Sequence, residues 1–152
     1  RSIRKGWFKM ARCEMRLPDE FMDKLSKLGD KFDSAAPKVL KAGGEVVLSQ
    51  MKDNLRNVIG KNTKVKSRST GALEKSLGIT PALQDRKGEW NIRVGVGDSR
   101  DKKGVPDALK AQVLEYGKAG QPAKPWMKPA RRKARKKAIS RMEDVLKREL
   151  DL

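Results

Sequence analysis

From Ala130 to Leu150 one pattern repeats: Ala130, Ala134, Ala138, Met142, Val145, Leu146 and Leu150 fall at steps of four, three and one, among mostly charged residues. That spacing matches the turn of an α-helix and gathers the apolar side chains into one stripe. The stripe has to be covered, so the chain must supply a second apolar face. Outside the stripe stand Arg131, Arg132, Lys133, Arg135, Lys136, Lys137 and Arg141, and the acids Glu143, Asp144 and Glu149 come only near the end. A helix dipole favours anions at its start and cations at its end. This order opposes it and points to a use beyond helix stability, such as a partner.

The covering face is predicted in the first half of the chain. Val39, Leu40, Val46, Val47, Met51, Leu55, Val58 and Ile59 keep helical spacing, giving a helix from about Ser34 to Ile59 with Pro37 in its first turn and Gly60 just past its end. Gly43 and Gly44 mark either a kink or a close approach to another backbone. A shorter helix precedes it, opened by Leu17, Pro18, Asp19 and Glu20, carrying Phe21, Met22, Leu25 and Leu28, and ended by Gly29. Residues 61–70 lack apolar period and read as a mobile basic loop. Residues 70–77 then read as one or two helical turns capped by Thr70.

Between the long helices the period changes to two. Glu89 to Val96 places Trp90, Ile92, Val94 and Val96 on one face and is the clearest strand. Gly78 to Leu83 contains Pro81 and reads as an edge or broken strand, followed by a turn at residues 85–88. Residues 97–106 form a charged loop, 107–111 a helical turn, 112–116 a further strand closed by Gly117, and 118–125 a loop. The result is an α+β fold: a small, mostly antiparallel sheet packed with a long helix from the N-terminal half and a long basic C-terminal helix. Residues 17–152 make one domain. Residues 1–16 form a basic N-terminal arm, and the stretch before Met10 is either native or an added extension. Trp7 and Phe8 in it belong to a mobile arm or clip a partner chain or nucleic acid.

Thirty-seven Lys and Arg stand against 19 Asp and Glu, a formal charge of +18. Self-repulsion on that scale disfavours a compact monomer and favours a polyanion or an acidic protein surface as partner. Catalytic chemistry is hard to assemble from this composition. Histidine, the commonest neutral-pH base and zinc ligand, is absent. The single cysteine, Cys13, allows no internal disulfide and fits a reducing compartment. Asp98 and Asp101 are the nearest carboxylate pair, but Arg100, Lys102 and Lys103 surround them, as in a solvated loop. Gly95 and Gly97 follow a strand without the Gly-Lys-Ser/Thr of a phosphate-binding loop. No catalytic, cofactor or metal residue is therefore expected, and no enzyme activity. No apolar run approaches the roughly 20 residues that cross a membrane. Aromatic residues are 5% of the chain, too few for a base-stacking array, so nucleic acid would be met through its phosphates.

Four short motifs, in order, resemble the small tail-component family of long-tailed bacteriophages and prophages, whose members serve head–tail joining, the neck or tail completion. The first is Thr70, Gly71, Ala72, Leu73, Glu74, Lys75, Ser76, Leu77, and the second Val94, Gly95, Val96. The third is Leu114, Glu115, Tyr116, Gly117. The fourth runs Pro122, Ala123, Lys124, Pro125, Trp126, Met127, Lys128, Pro129, Ala130. The resemblance spans roughly residues 17–150. It departs where Lys110 and Ala111 replace a Tyr-Ala pair, and where the basic 64–69 stretch replaces a proline. It implies a structural virion protein, assembled in the host bacterial cytoplasm, in a homo-oligomeric ring with other neck or tail proteins, and with DNA as a further candidate contact. It implies structural roles for the motif residues, Trp126 anchoring the last helix on the sheet and Glu115 being structural rather than catalytic. Lys64, Lys66, Arg68, Arg131, Arg132, Arg135 and Lys136 are the candidate contacts to a partner or DNA. The alternative is a nucleic-acid-binding protein acting through the basic C-terminal helix.

Overall fold

The fold is that of a computed structural model, which describes residues 12–16, 18–20, 23, 30–63, 66, 67 and 69–151. Its elements are β1 (Arg12–Arg16), α1 (Asp30–Val58), α2 (Ala72–Lys75), β2 (Leu77–Ile79), β3 (Leu83–Gln84), β4 (Trp90–Val96), α3 (Asp107–Tyr116) and α4 (Met127–Glu149). Of the short helix expected from residue 17 to Gly29, Asp19, Glu20 and Asp23 are helical, and Phe21, Met22, Leu25, Leu28 and Gly29 lie outside the described residues.

The strand with the strongest alternation is the centre of the sheet. β4 pairs antiparallel with β1 on one side, Cys13 opposite Val94, and with β2 and then β3 on the other, Ile79 opposite Val94 and Leu83 opposite Asn91. The β2–β3 side is one strand broken at Pro81, which has no N–H to offer a ladder. Thr80 holds the junction: its N–H donates to the Arg93 carbonyl at 2.9 Å, and its hydroxyl oxygen accepts from the Arg93 N–H at 2.9 Å. Arg12–Arg16, assigned to the arm from sequence, is thus a strand of the sheet.

Ile92, Val94 and Val96 are buried under α1, and α1 and α4 make the most extensive contact in the molecule. Two buried clusters show that these helices run antiparallel. One joins Val47, Met51 and Leu55 of α1 to Trp126, Ala130 and Ala134. The other joins Ala36, Val39 and Leu40 to Met142, Leu146 and Leu150. Every residue of the predicted C-terminal stripe is buried, as helical spacing required. At Gly44 a Cβ would sit 3.4 Å from Ile92 Cδ1 and 3.5 Å from Val94 Cγ2. Gly44 therefore marks a close approach of α1 to sheet side chains, inside an unbroken helix. That helix starts at Asp30 rather than Ser34, so Pro37 lies within it and removes the N–H due to the Asp33 carbonyl.

Two further expectations are corrected. Residues 112–116 are not a strand but the second half of α3. The buried face of that helix is Asp107, Ala108, Ala111 and Glu115. A face lined by two carboxylates and two alanines leaves no apolar helical period to read. Thr70 does not cap α2: the N-cap is Gly71, in the left-handed region at φ 77°, and no side chain caps it.

Candidate functional site

The first turn of a helix has backbone N–H groups with no partner in the helix itself. At the start of α4 each is accounted for. The N–H groups of Trp126 and Met127 donate to Glu115 Oε2 at 2.7 and 2.8 Å, and that of Lys128 donates to Glu115 Oε1 at 3.0 Å. Pro129 comes next and has no N–H. The first intrahelical bond follows, from Ala130 to the Trp126 carbonyl at 3.2 Å. One carboxylate, 4% exposed, thus closes the whole helix end from a neighbouring helix. Bonds from N–H to an ionised carboxylate are about twice as strong as neutral ones.

This arrangement also answers the charge order of α4. Its cations sit where the helix dipole is positive, but a buried anion sits there too and offsets it. No local sequence rule could show this, because the capping residue lies 11 to 13 positions upstream.

The segment between Glu115 and Trp126 is folded tightly to bring them together. Gly117 has φ 77°, and a Cβ on it would meet Ala123 N at 2.7 Å and Gln121 O at 2.9 Å, both backbone atoms. Lys118 and Gln121 bond each other's backbone at 3.0 and 2.9 Å, and the Lys124 N–H donates to the Leu114 carbonyl at 2.7 Å. Trp126 is 0% exposed, its indole N–H directed at the Ala111 carbonyl at 3.4 Å. Its polar anchor is therefore α3 rather than the sheet, while its ring joins the cluster that contains Val94 and Val96. Asn54 of α1 donates to the Trp126 carbonyl at 3.2 Å, and Lys124 Nζ donates to the Lys61 carbonyl. Tyr116, by contrast, is 63% exposed, with Lys128 Nζ 5.5 Å from its ring centre. Pro122 and Pro125 are exposed and Pro129 half-buried.

The first motif is a second structural unit. Leu73 and Leu77 are buried, and the Ser76 hydroxyl donates to the Leu73 carbonyl at 2.7 Å. The Ser76 carbonyl accepts from the Gly97 N–H at 2.9 Å, tying the motif to the end of β4. Thr70 is exposed. Glu74 pairs with Arg56 of α1, which holds its carboxyl below the usual range, chiefly through their hydrogen bond.

Loop 97–106 is built around Asp101. Its Oδ1 accepts from the N–H groups of Lys103 and Val105, both at 2.9 Å, and its Oδ2 pairs with Lys110 at 3.0 Å. The bond from Val105, then that from Lys110, lowers its pKa from the ordinary aspartate value. Lys110 also reaches Asp107 Oδ1 at 3.1 Å, and the Ser99 hydroxyl donates to Asp107 Oδ2 at 2.5 Å. Asp107, Lys110, Ser99 and Asn54 were missed as candidates from sequence. The one available signal was an acid just after Pro106 at a helix start. Asp101 Oδ1 is taken by this loop and Oδ2 by Lys110 of α3, Asp98 is exposed, and no group of three metal-binding residues forms among the described residues.

The candidate contact residues take a different place. Arg131, Arg132, Lys133, Arg135, Lys136, Lys137 and Arg141 are all exposed, and no ion pair among the described residues includes them. Lys133, Lys137 and Arg141 line a shallow groove whose α1 side carries Glu45 and Asp53. Lys66 is exposed, while Lys64 and Arg68 lie outside the described residues. No described helix is long and apolar enough to cross a membrane.

Two of the motifs therefore meet in one knot, Glu115 and Gly117 from the third with Trp126, Met127 and Lys128 from the fourth. Its carboxylate is spent on backbone N–H donors, and its work is to fix α4 in place. The chain matches, over residues 19–117, a family model described as "Bacteriophage HK97-gp10, putative tail-component". The match includes the first three motifs and ends at Gly117, so the fourth motif and α4 lie beyond it. No curated protein and no solved structure matches the chain. A match over more than half of the chain, on the elements that carry three of the motifs, settles the family: this is a structural bacteriophage protein of the HK97 gp10-like tail-component family.

Proposed function

We propose that the protein is a ring-forming subunit at the head–tail joint of a long-tailed phage, or one that completes the tail, assembled in the host cytoplasm. It acts by stereospecific association, with no reaction catalysed. The observation that carries this is the division of labour in the chain. The buried motif residues Leu73, Leu77, Glu115 and Trp126 are spent on the fold, with Glu115 engaged by three backbone N–H groups. Loop 97–106, loop 61–69 and the outer side of α4 remain for neighbours. Loop 97–106 is pre-shaped by Asp101 and Lys110, so docking it costs little ordering entropy.

The test is a lysate of the parent phage lacking this gene, viewed by electron microscopy. Heads and tails that accumulate unjoined, or tails left unfinished, are expected, with rescue by the wild-type chain. Normal infectious particles without it would refute the proposal. In the rescue assay, charge reversal of Arg131, Arg132 and Lys136 is expected to reduce joining, and unchanged joining would remove α4 from the contacts.

A further inference from the structure

The cations of α4 fall into two sets. Lys133, Lys137 and Arg141 share a groove with Glu45 and Asp53, which soften their field. Arg131, Arg132, Arg135 and Lys136 are exposed outside that groove, with no ion pair among the described residues. We infer that this second set is a binding surface for the sugar–phosphate backbone of duplex DNA, used without regard to base sequence. The inference goes beyond the ring assembly proposed above and does not depend on it.

Three observations favour this partner. The apolar residues of α4 from Met127 to Leu146 are buried, apart from half-buried Ile139, so the outer side offers no hydrophobic anchor. Stable protein interfaces have such an anchor at their centre and are poor in lysine, whereas phosphate contact needs only charge and reach. The dimensions also agree. Residues 131–136 rise about 7.5 Å along the helix, a length over which duplex DNA presents about four phosphate charges. Finally, the N–H groups at the helix start are consumed by Glu115, so they cannot serve as a site for one small anion. What remains is an extended side-chain surface. Tyr116 is the one large exposed aromatic ring among the described residues, too few for the stacking platforms that mark single-strand binding.

The experiment is a fluorescence-anisotropy titration of the full chain with two labelled duplexes of unrelated sequence, repeated between about 50 and 200 mM salt. Equal affinity for both is expected, falling steeply with salt. The variant with Arg131→Ser, Arg132→Ser, Arg135→Ser and Lys136→Ser is expected to bind about 100-fold more weakly, with the salt slope reduced by about 3 to 4. The variant with Lys133→Ser, Lys137→Ser and Arg141→Ser should stay within about threefold of wild type, the residue of its lower net charge. The variant with Arg131→Lys, Arg132→Lys and Arg135→Lys should bind like wild type. Removing cations near a helix start favours the helix, and thermal melting of each variant checks that the fold is kept. No binding at the lowest salt overturns the inference, as does equal loss from the two serine variants. Displacement by polyglutamate as effective as by unlabelled duplex would assign the surface to an acidic protein instead.

Discussion

The two ends of α3 each bury a carboxylate, and they use it differently. Asp107, 2% exposed, takes its side-chain partners from Ser99 and Lys110, eight and three residues away. Glu115, 4% exposed, takes its partners from the backbone of another helix. The first shapes a loop beside its own helix. The second joins α3 to α4, the helix that supplies one side of both buried clusters. A buried acid near its partners in sequence is a local device, whereas one far from them is a tertiary joint. The damage from losing each should differ in size and in reach.

The largest effect is expected from Glu115→Ala. It leaves two buried N–H groups and one half-buried one without a partner, and should cost about 3–4 kcal/mol. Amide exchange should quicken in the first turns of α4, and Trp126 fluorescence should shift to the red. A chemical-denaturation loss below about 1 kcal/mol would break the comparison. Next comes Gly117→Ala, at about 2–3 kcal/mol by the same measurement, since the added Cβ meets backbone on two sides at a positive φ. Asp107→Ala should cost about 1–2 kcal/mol, with faster exchange confined to residues 97–110 and α4 protection unchanged. If α4 loosened as well, the loop and the joint would be one unit.

The smallest effect is expected from acid. Asp101 has a lowered pKa in the fold, so its contribution is complete above the ordinary aspartate range near pH 4 and is lost as pH falls through its folded value. Lys110 has a raised pKa, so its contribution is complete below about pH 10 and is lost above its folded value. Loop 97–106 should therefore keep its shape between those limits. Amide signals of Lys103 and Val105 should move only below about pH 4. Movement of both near neutral pH would show that Asp101 is not their acceptor.

Where a pattern was carried by apolar side chains, it could be read. The stripe from Ala130 to Leu150, the alternation from Trp90 to Val96 and the break at Pro81 all follow from spacing or from a missing N–H. The helix from Asp107 to Tyr116 could be read only in its first half, because its buried face holds Asp107 and Glu115, which hydropathy counts as surface. β1 escaped for another reason: Arg12, Cys13, Glu14, Met15 and Arg16 have little apolar content, and the strand is specified by its edge position beside β4. The motif residues were legible as a set and their roles were not. Only the fold shows that Glu115, Gly117 and the start of α4 are parts of one joint.

The joint between Glu115 and α4 has a consequence for the order in which the chain is made. Synthesis runs from the N-terminus, so Glu115 leaves the ribosome before Trp126, Met127 and Lys128. Until those three N–H groups emerge the carboxylate has only water to bond, and burying it in that state would be costly. The face of β4 that holds Val94 and Val96 likewise waits for Trp126 to complete its cluster. The stretch matched by the family model, residues 19–117, therefore cannot complete either buried cluster until the helix that follows it arrives.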